Sequence, residues 1–299
     1  MIVVYSRAYR IDIGAHVFPT RKYYLLYDRI RSSGANATFV DPQPASWEQL
    51  RTIHTPEYLT KLQTGDFDYQ ELAQLEVPWS PEIVDGFRSM TGGTIEAARR
   101  ALSAANPCRT FHVGGGFHHA FANHGEGFCL FNDVAVAIRL LFDEGRIERA
   151  AVIDLDVHHG NGTAFIFEND PRVFTFSMHQ QHNYPMYKPR GSLDIGLADG
   201  TGDEAYLTRL EAALPQVIAH APQLAFYLAG ADPFEGDQLG GLRLTKSGLR
   251  TRDRMVIKAC AAANAPVVVL LAGGYARSLE DTVDIHYATF EEATKPHGT

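Results

Sequence analysis

The sequence predicts an α/β domain: a mostly parallel β-sheet flanked by helices on both faces. Three observations point there. Short apolar or β-branched runs alternate with longer amphipathic stretches along the 299 residues, the signature of β–α–β crossovers. Several of those runs are apolar almost throughout, as strands covered on both faces must be. The unusual polar clusters all fall just after such runs, and ligand sites in open α/β sheets lie beyond the carboxyl ends of the strands.

Taken in order, strands are expected at residues 2–5, 38–40, 110–113, 150–154, 173–178, 224–229 and 266–271. Helical spacing of apolar residues marks 81–105, with Pro81 in its first turn, and 133–144. Two more helices are expected at 203–219, opening at Gly202/Asp203, and at 245–264, opening at Thr245. Residues 180–202 are rich in Pro, Gly and Tyr and read as a long ordered loop of the functional kind. There is no internal repeat or low-complexity segment, so one domain over residues 1–299 is expected.

Composition narrows the class. The chain is 45% hydrophobic and 21% charged, ordinary for a soluble globular protein. A net charge of −8 argues against a nucleic-acid partner, which calls for a basic face. No apolar run approaches a membrane span, and the N-terminal MIVVYSRAYR is too short an apolar run for a secretory signal. Cys108, Cys129 and Cys260 form no C-x-x-C pair. An odd count with no signal suits a reducing cytoplasm. The N-x-T matches at Asn36 and Asn161 are then chance. The sequence sets no oligomeric state.

The stretch Ile153-Asp154-Leu155-Asp156-Val157-His158-His159-Gly160-Asn161-Gly162 carries the densest chemistry. It reads as a buried strand running into a Gly-rich loop. Strand alternation would point Asp154, Asp156 and His158 the same way. Two buried carboxylates need a cation, and mixed Asp/His ligation suits zinc or a similar divalent ion. Asp232, in LAGADP, supplies a third candidate ligand and leaves a position open for water and substrate. His118 and His119, in GGGFHHA, are candidates for the base that such a water needs. Tyr275, in LLAGGYA, is placed to donate to a developing oxyanion. Phe128 and Tyr184 lie in loops where they would wall an apolar slot. His112, His220, His286 and His297 carry no motif and read as core or surface residues.

The motifs HTPEYL, GGGFHHA, GFCLFND, DLDVHHGNGT, TFSMH, DGTGDEAY, LAGADP and LAGGYA occur in this order along most of the chain. Together they resemble the histone deacetylase family of the arginase–deacetylase fold, most of all its class IV branch and bacterial relatives. The resemblance implies a zinc-dependent amidohydrolase acting on acyl-lysine in proteins or peptides. It implies zinc, or ferrous iron in its place, on Asp156, His158 and Asp232. It implies His119 as general base and acid, His118 as its electrostatic partner, and Asp154 holding His118. Tyr275 would polarise the amide carbonyl, the Gly127 carbonyl would accept the substrate N–H, and Phe128 and Tyr184 would flank the acyl-lysine tunnel. A structural potassium ion would lie near Asp154, Asp156, His158, Ser177 and Met178.

Two positions depart from better-known branches. Asn161 stands where class I enzymes pair an Asp with the base, so it would orient His119 without adding charge. Leu239 stands, by counting from Asp232, where acetylpolyamine deacetylases carry a gatekeeping Glu, and Glu235 lies close enough in sequence to substitute in part. An acetylpolyamine or other small-amide deacetylase is the alternative enzyme. A non-catalytic acyl-lysine reader would be expected to lose the base or the tyrosine. An arginase-type ureohydrolase would need Asp at Gly160 and at Gly230, and both are absent.

Overall fold

Eight parallel strands form one sheet in the computed structural model, which describes residues 1–103 and 109–296. The strands are β1 (Ile2–Val4), β2 (Thr38–Val40), β3 (Arg109–His112), β4 (Ala150–Asp154), β5 (Val173–Gln180), β6 (Leu193–Leu197), β7 (Leu224–Leu228) and β8 (Val267–Leu270). Their order across the sheet is β2-β1-β3-β8-β7-β4-β5-β6. Cys108 and His297 lie outside the described residues, as do the last two positions of the helix expected at 81–105.

The central strands explain themselves. AAVID of β4, LAFYL of β7 and VVVL of β8 are buried at every position, because helices cover both faces. Helix Pro81–Ser103 opens with proline at its start and buries Phe87, Met90 and Ile95. Helix Asp133–Asp143 is capped by Asn132, whose side chain accepts from the Ala135 N–H. Helix Lys246–Ala262 is capped by Thr245, which accepts from Gly248. The start of helix Asp203–Ala219 differs from expectation: Gly202 makes no side-chain cap, and Asp203 instead accepts from the Thr245 N–H at 2.9 Å and its hydroxyl at 2.7 Å.

The segment 180–202 is not wholly a loop. It contains β6, which pairs with β5 from Phe176↔Leu193 to Gln180↔Leu197. Leu193, Ile195 and Leu197 alternate with Asp194 and Gly196, an edge-strand pattern obscured by the Pro- and Gly-rich flanks. Further helices form at Arg21–Ser32, Trp47–Leu50, Pro56–Thr64, Tyr69–Leu75, Asn161–Phe167 and Leu279–Thr294, where no helix was expected. The shorter ones owe their ends to local capping, as in the reciprocal bonds between Ser46 and Gln49 and between Asp68 and Glu71. No helix among the described residues is long and apolar enough to cross a membrane.

Four strands adjacent in the sheet, β3, β8, β7 and β4, point their carboxyl ends at one place. The loops leaving them carry the polar clusters.

Candidate active site

Strand β4 ends at Asp154, so strand alternation does not govern the residues beyond it. The chain turns instead. Asp156 N–H donates to Asp154 Oδ1 at 3.2 Å, and His158 N–H to Asp156 Oδ1 at 2.9 Å. This turn separates the three residues expected to converge. Asp156 and His158 join Asp232, with one donor atom from each lying within 4.8 Å of the others. Asp154 belongs elsewhere: its Oδ2 accepts from His118 Nδ1 at 2.7 Å. That pair packs so tightly on Gly160 that a Cβ there would lie 2.3 Å from Asp154 Oδ2.

The Asp156–His158–Asp232 cluster has the donor set and the burial of a cation site. All three side chains are buried. Asp232 Oδ2 makes no hydrogen bond among the described residues, and the His158 Nδ1 nearby is 3.5 Å away. Burial, reinforced by the charge of Asp156, pushes the Asp232 carboxyl up to about 7. Two such carboxylates are costly together unless a cation joins them. The unbonded Asp232 Oδ2, an Asp156 carboxylate oxygen and the ring nitrogen fit one divalent ion. Neighbouring backbone fixes the carboxylates: Asp156 Oδ2 accepts from Gly273 N–H at 2.7 Å, and Asp232 Oδ1 from Val157 N–H at 2.9 Å. Gly273 tolerates no side chain, since its Cβ would fall 1.8 Å from Asp232 Oδ2.

His118 and His119 leave β3 through the glycine loop, whose turn is held by Asp133 accepting from Gly116 and Phe117 N–H at 3.0 and 2.8 Å. Their Nε2 atoms meet at 3.1 Å. Burial opposes charge on His118, but Asp154 and Asp156 outweigh it and raise its pKa to about 9. Burial lowers that of His119, and the charge of neighbouring His118 lowers it further. His119 Nδ1 lies 2.7 Å from Asn161 Oδ1. Burial raises the Tyr275 phenol well above its usual range, with Asp156 and Asp232 adding to the effect, so the hydroxyl keeps its proton.

A cavity of about 180 Å³ opens above these groups, lined by His119, His158, Gly127, Phe128, Tyr184, Leu239, Tyr275, Asn183 and Glu76. The Tyr184 ring stands edge-on to His119 at 5.1 Å. Phe128 stacks on Phe18 at 5.8 Å and meets Tyr275 edge-on at the same distance. Its backbone holds φ +68°, an uncommon conformation for a bulky residue, which turns the ring into the slot. Ser177 is the register partner of Asp154 across β4 and β5, and Met178 follows it in β5.

Glu235 is exposed and does not line the cavity; the acid at the rim is Glu76, which lies 163 positions earlier than Leu239 in the chain. The loop after Asp232 turns Glu235 outward, where its N–H pairs with the Leu244 carbonyl. Sequence reasoning also missed Asp237 and Glu126. Asp237 accepts from the backbone of Leu239, Gly240 and Tyr275. Glu126 accepts from the Asn161 amide. Each is a lone acid in a polar loop, and the only local signal was its closeness to a motif.

A model of the histone deacetylase domain matches residues 16–290. The chain therefore belongs to the histone deacetylase family. It is 40% identical over 288 residues to an uncharacterised protein of Picosynechococcus, with 95% of each chain covered. Histone deacetylase 2 of Arabidopsis thaliana is 32% identical, covering 92% of this chain and 75% of that one. The acetoin utilization protein AcuC of Bacillus subtilis is 30% identical, covering 82% and 69%. Among solved structures, the HDA15 HD domain superposes with a TM-score of 0.82 at 22% identity, covering 98% of this chain and 90% of that one. An HDAC homolog complexed with SAHA also reaches 0.82, at 23% identity and with 98% and 83% covered. The fold is that of the deacetylases.

Proposed function

We propose that the protein is a metal-dependent amidohydrolase that removes acetyl or longer acyl groups from the lysine ε-amine of proteins or peptides. One observation carries the reading: the Nε2 atoms of His118 and His119 meet at 3.1 Å in the loop beside the Asp156–His158–Asp232 cluster. The Tyr275 hydroxyl and an apolar-walled slot lie next to them. Relatives named as deacetylases support it.

Zinc or ferrous iron held by Asp156, His158 and Asp232 would supply Lewis acidity toward water and the amide carbonyl. The chain's own residues do the rest. Phe128 and Tyr184 hold the acyl-lysine stem between rings and exclude water. The Gly127 carbonyl accepts the amide N–H. His119 Nε2 takes a proton as water attacks the carbonyl carbon. Tyr275 donates to the carbonyl oxygen as charge builds on it. The proton then passes from His119 to the leaving amine, giving free lysine and a carboxylate. His118, anchored by Asp154, tunes that proton transfer. Potassium beside Asp154, Asp156, His158, Ser177 and Met178 would brace the strand ends. The setting is cytoplasmic, with no nucleic-acid or membrane partner.

Glu76 at the slot's rim favours a second substrate class. A carboxylate there can pair with the extra amines of an acetylpolyamine, although the gate residue Leu239 cannot. The deciding experiment assays the metal-loaded protein on acyl-lysine peptides of several chain lengths beside acetylated polyamines. Acyl-lysine peptides should be hydrolysed with higher kcat/KM. Faster turnover of an acetylpolyamine than of every peptide would transfer the reading to that class, and no hydrolysis of either would end it.

A further inference from the structure

Asn161 poses a problem that a neighbour solves. A side-chain amide has one accepting arm and one donating arm of nearly the same shape. If the oxygen faces His119, then Nδ1 carries the hydrogen and Nε2 keeps its lone pair. If the NH2 faces His119, then Nδ1 accepts and Nε2 carries the hydrogen. Only the first arrangement lets Nε2 take a proton from water. An aspartate would face no such choice, because both its oxygens accept.

Glu126 removes the choice. Its Oε1 lies 2.7 Å from Asn161 Nδ2. A carboxylate only accepts, so a flipped amide would set two oxygens against each other at that distance. Asn161 is buried and the Glu126 side chain is 13% exposed, so water can do little to relieve the clash. Glu126 is itself fastened. Gln74 Nε2 donates to its Oε2 at 2.9 Å, and His124 Nε2 lies 3.5 Å from the same oxygen. Its loop is pinned by Gly127 N–H on the Gln74 carbonyl and Phe128 N–H on the Leu75 carbonyl. Burial works against its charge, yet His124, Gln74 and Asn161 beside it hold its pKa below the usual range.

We infer that Glu126 is a positioning residue that locks the Asn161 amide, so that His119 is held as the Nδ1–H tautomer, with the lone pair of Nε2 on the side of His118 Nε2 and the pocket. The inference rests on His119 being the base of the proposed hydrolysis.

The test is a double-variant cycle on the zinc-loaded protein with two readouts. The first is the ¹⁵N shift pattern of the His119 ring, identified by its loss in His119→Ala. Wild type should show one tautomer, protonated on Nδ1. In Glu126→Gln the new amide can donate or accept, so the Nε2–H tautomer should appear. The second readout is kinetic. Glu126→Gln should lower kcat roughly tenfold to a hundredfold, within the range for an impaired general base, with KM little changed. Asn161→Asp alone should also be impaired, because it opposes two carboxylates. The double variant Glu126→Gln/Asn161→Asp should recover to within about threefold of wild type, a strong coupling between contacting residues. Loss of mere packing would make the double variant worse than either single one. A single Nδ1–H tautomer in Glu126→Gln, or no recovery in the double variant, overturns the inference. If wild type hydrolyses no acyl-lysine peptide, the proposed function falls, while the ring tautomer still decides the role of Glu126.

Discussion

Asp237 Oδ2 accepts the backbone N–H of Tyr275 at 2.7 Å, tying the loop after β7 to the loop after β8. Its Oδ1 takes the N–H groups of Leu239 and Gly240 at 2.8 and 3.1 Å. One buried carboxylate thus holds the backbone of both Tyr275 and Leu239, two residues that line the cavity. Asp237→Ala strands these donors, at about 1–3 kcal/mol for an unsatisfied buried group. A lower melting temperature and a kcat reduced by roughly a hundredfold through misplacement of Tyr275 are expected. Asp237→Asn keeps one acceptor and should fall between. Wild-type turnover in Asp237→Ala would show that Tyr275 is placed by other means.

Tyr275→Phe removes the hydroxyl and keeps the ring that packs on Phe18 and Phe128. Turnover should drop by about two to three orders of magnitude, as for a lost oxyanion donor. KM should move little, because the bond strengthens only as charge builds. Steady-state kinetics check this; a weakened KM with intact kcat would assign Tyr275 to packing.

Asp232→Ala should lose the metal and the activity together, because one of three donors is gone. Elemental analysis of wild type should find one divalent ion per chain, and a chelator should lower the melting temperature, since an ion that binds only the folded state stabilises it. Full occupancy and normal turnover in the variant would contradict the ligand assignment.

Glu76 should favour substrates with a second positive charge. Glu76→Gln should reduce kcat/KM for acetylpolyamines several-fold more than for neutral peptides, as one exposed ion pair is worth roughly 0–1 kcal/mol. Leu239→Glu should act in the opposite direction. Equal effects of Glu76→Gln on both substrate classes would remove it as a selector.

Glu292 is fully buried and meets Arg250 at 2.6 Å, Arg254 at 3.1 Å and Lys295 at 2.5 Å. Burial alone would raise its pKa, but these cations lower it from 4.5 to about 2. Its charged form is therefore favoured in the folded protein. The stability it contributes is fully present above pH 4.5 and drains away as the pH falls toward 2. Urea unfolding across that window should show wild type losing more stability than Glu292→Gln. Parallel losses would mean that the carboxylate is not held as a charge.

The central strands were legible because their burial is complete. AAVID, LAFYL and VVVL have no solvent face, so their apolar runs are unbroken. The edge strand β6 has two kinds of neighbour, and its LDIGL alternation is weaker than the Gly- and Pro-rich context around it. In the site, the motif residues stand together in sequence and announce their chemistry. Glu126 and Asp237 do not, because each acts on a residue 35 or more positions away. Strand alternation grouped Asp154 with Asp156 and His158, while the family resemblance set it against His118, where it lies; periodicity carries no information past a strand's end.

β8 is the last strand to be made, yet it lies in the interior of the sheet, paired with β3 on one side and β7 on the other. Through the sheet, it alone joins β2-β1-β3 to β7-β4-β5-β6. His118 and His119 hang from one of these halves, and Asp156, His158 and Asp232 from the other. The sheet that sets these two groups side by side is therefore continuous only where residues 267–270 lie between its halves, so the last strand of the chain closes the frame on which both groups stand.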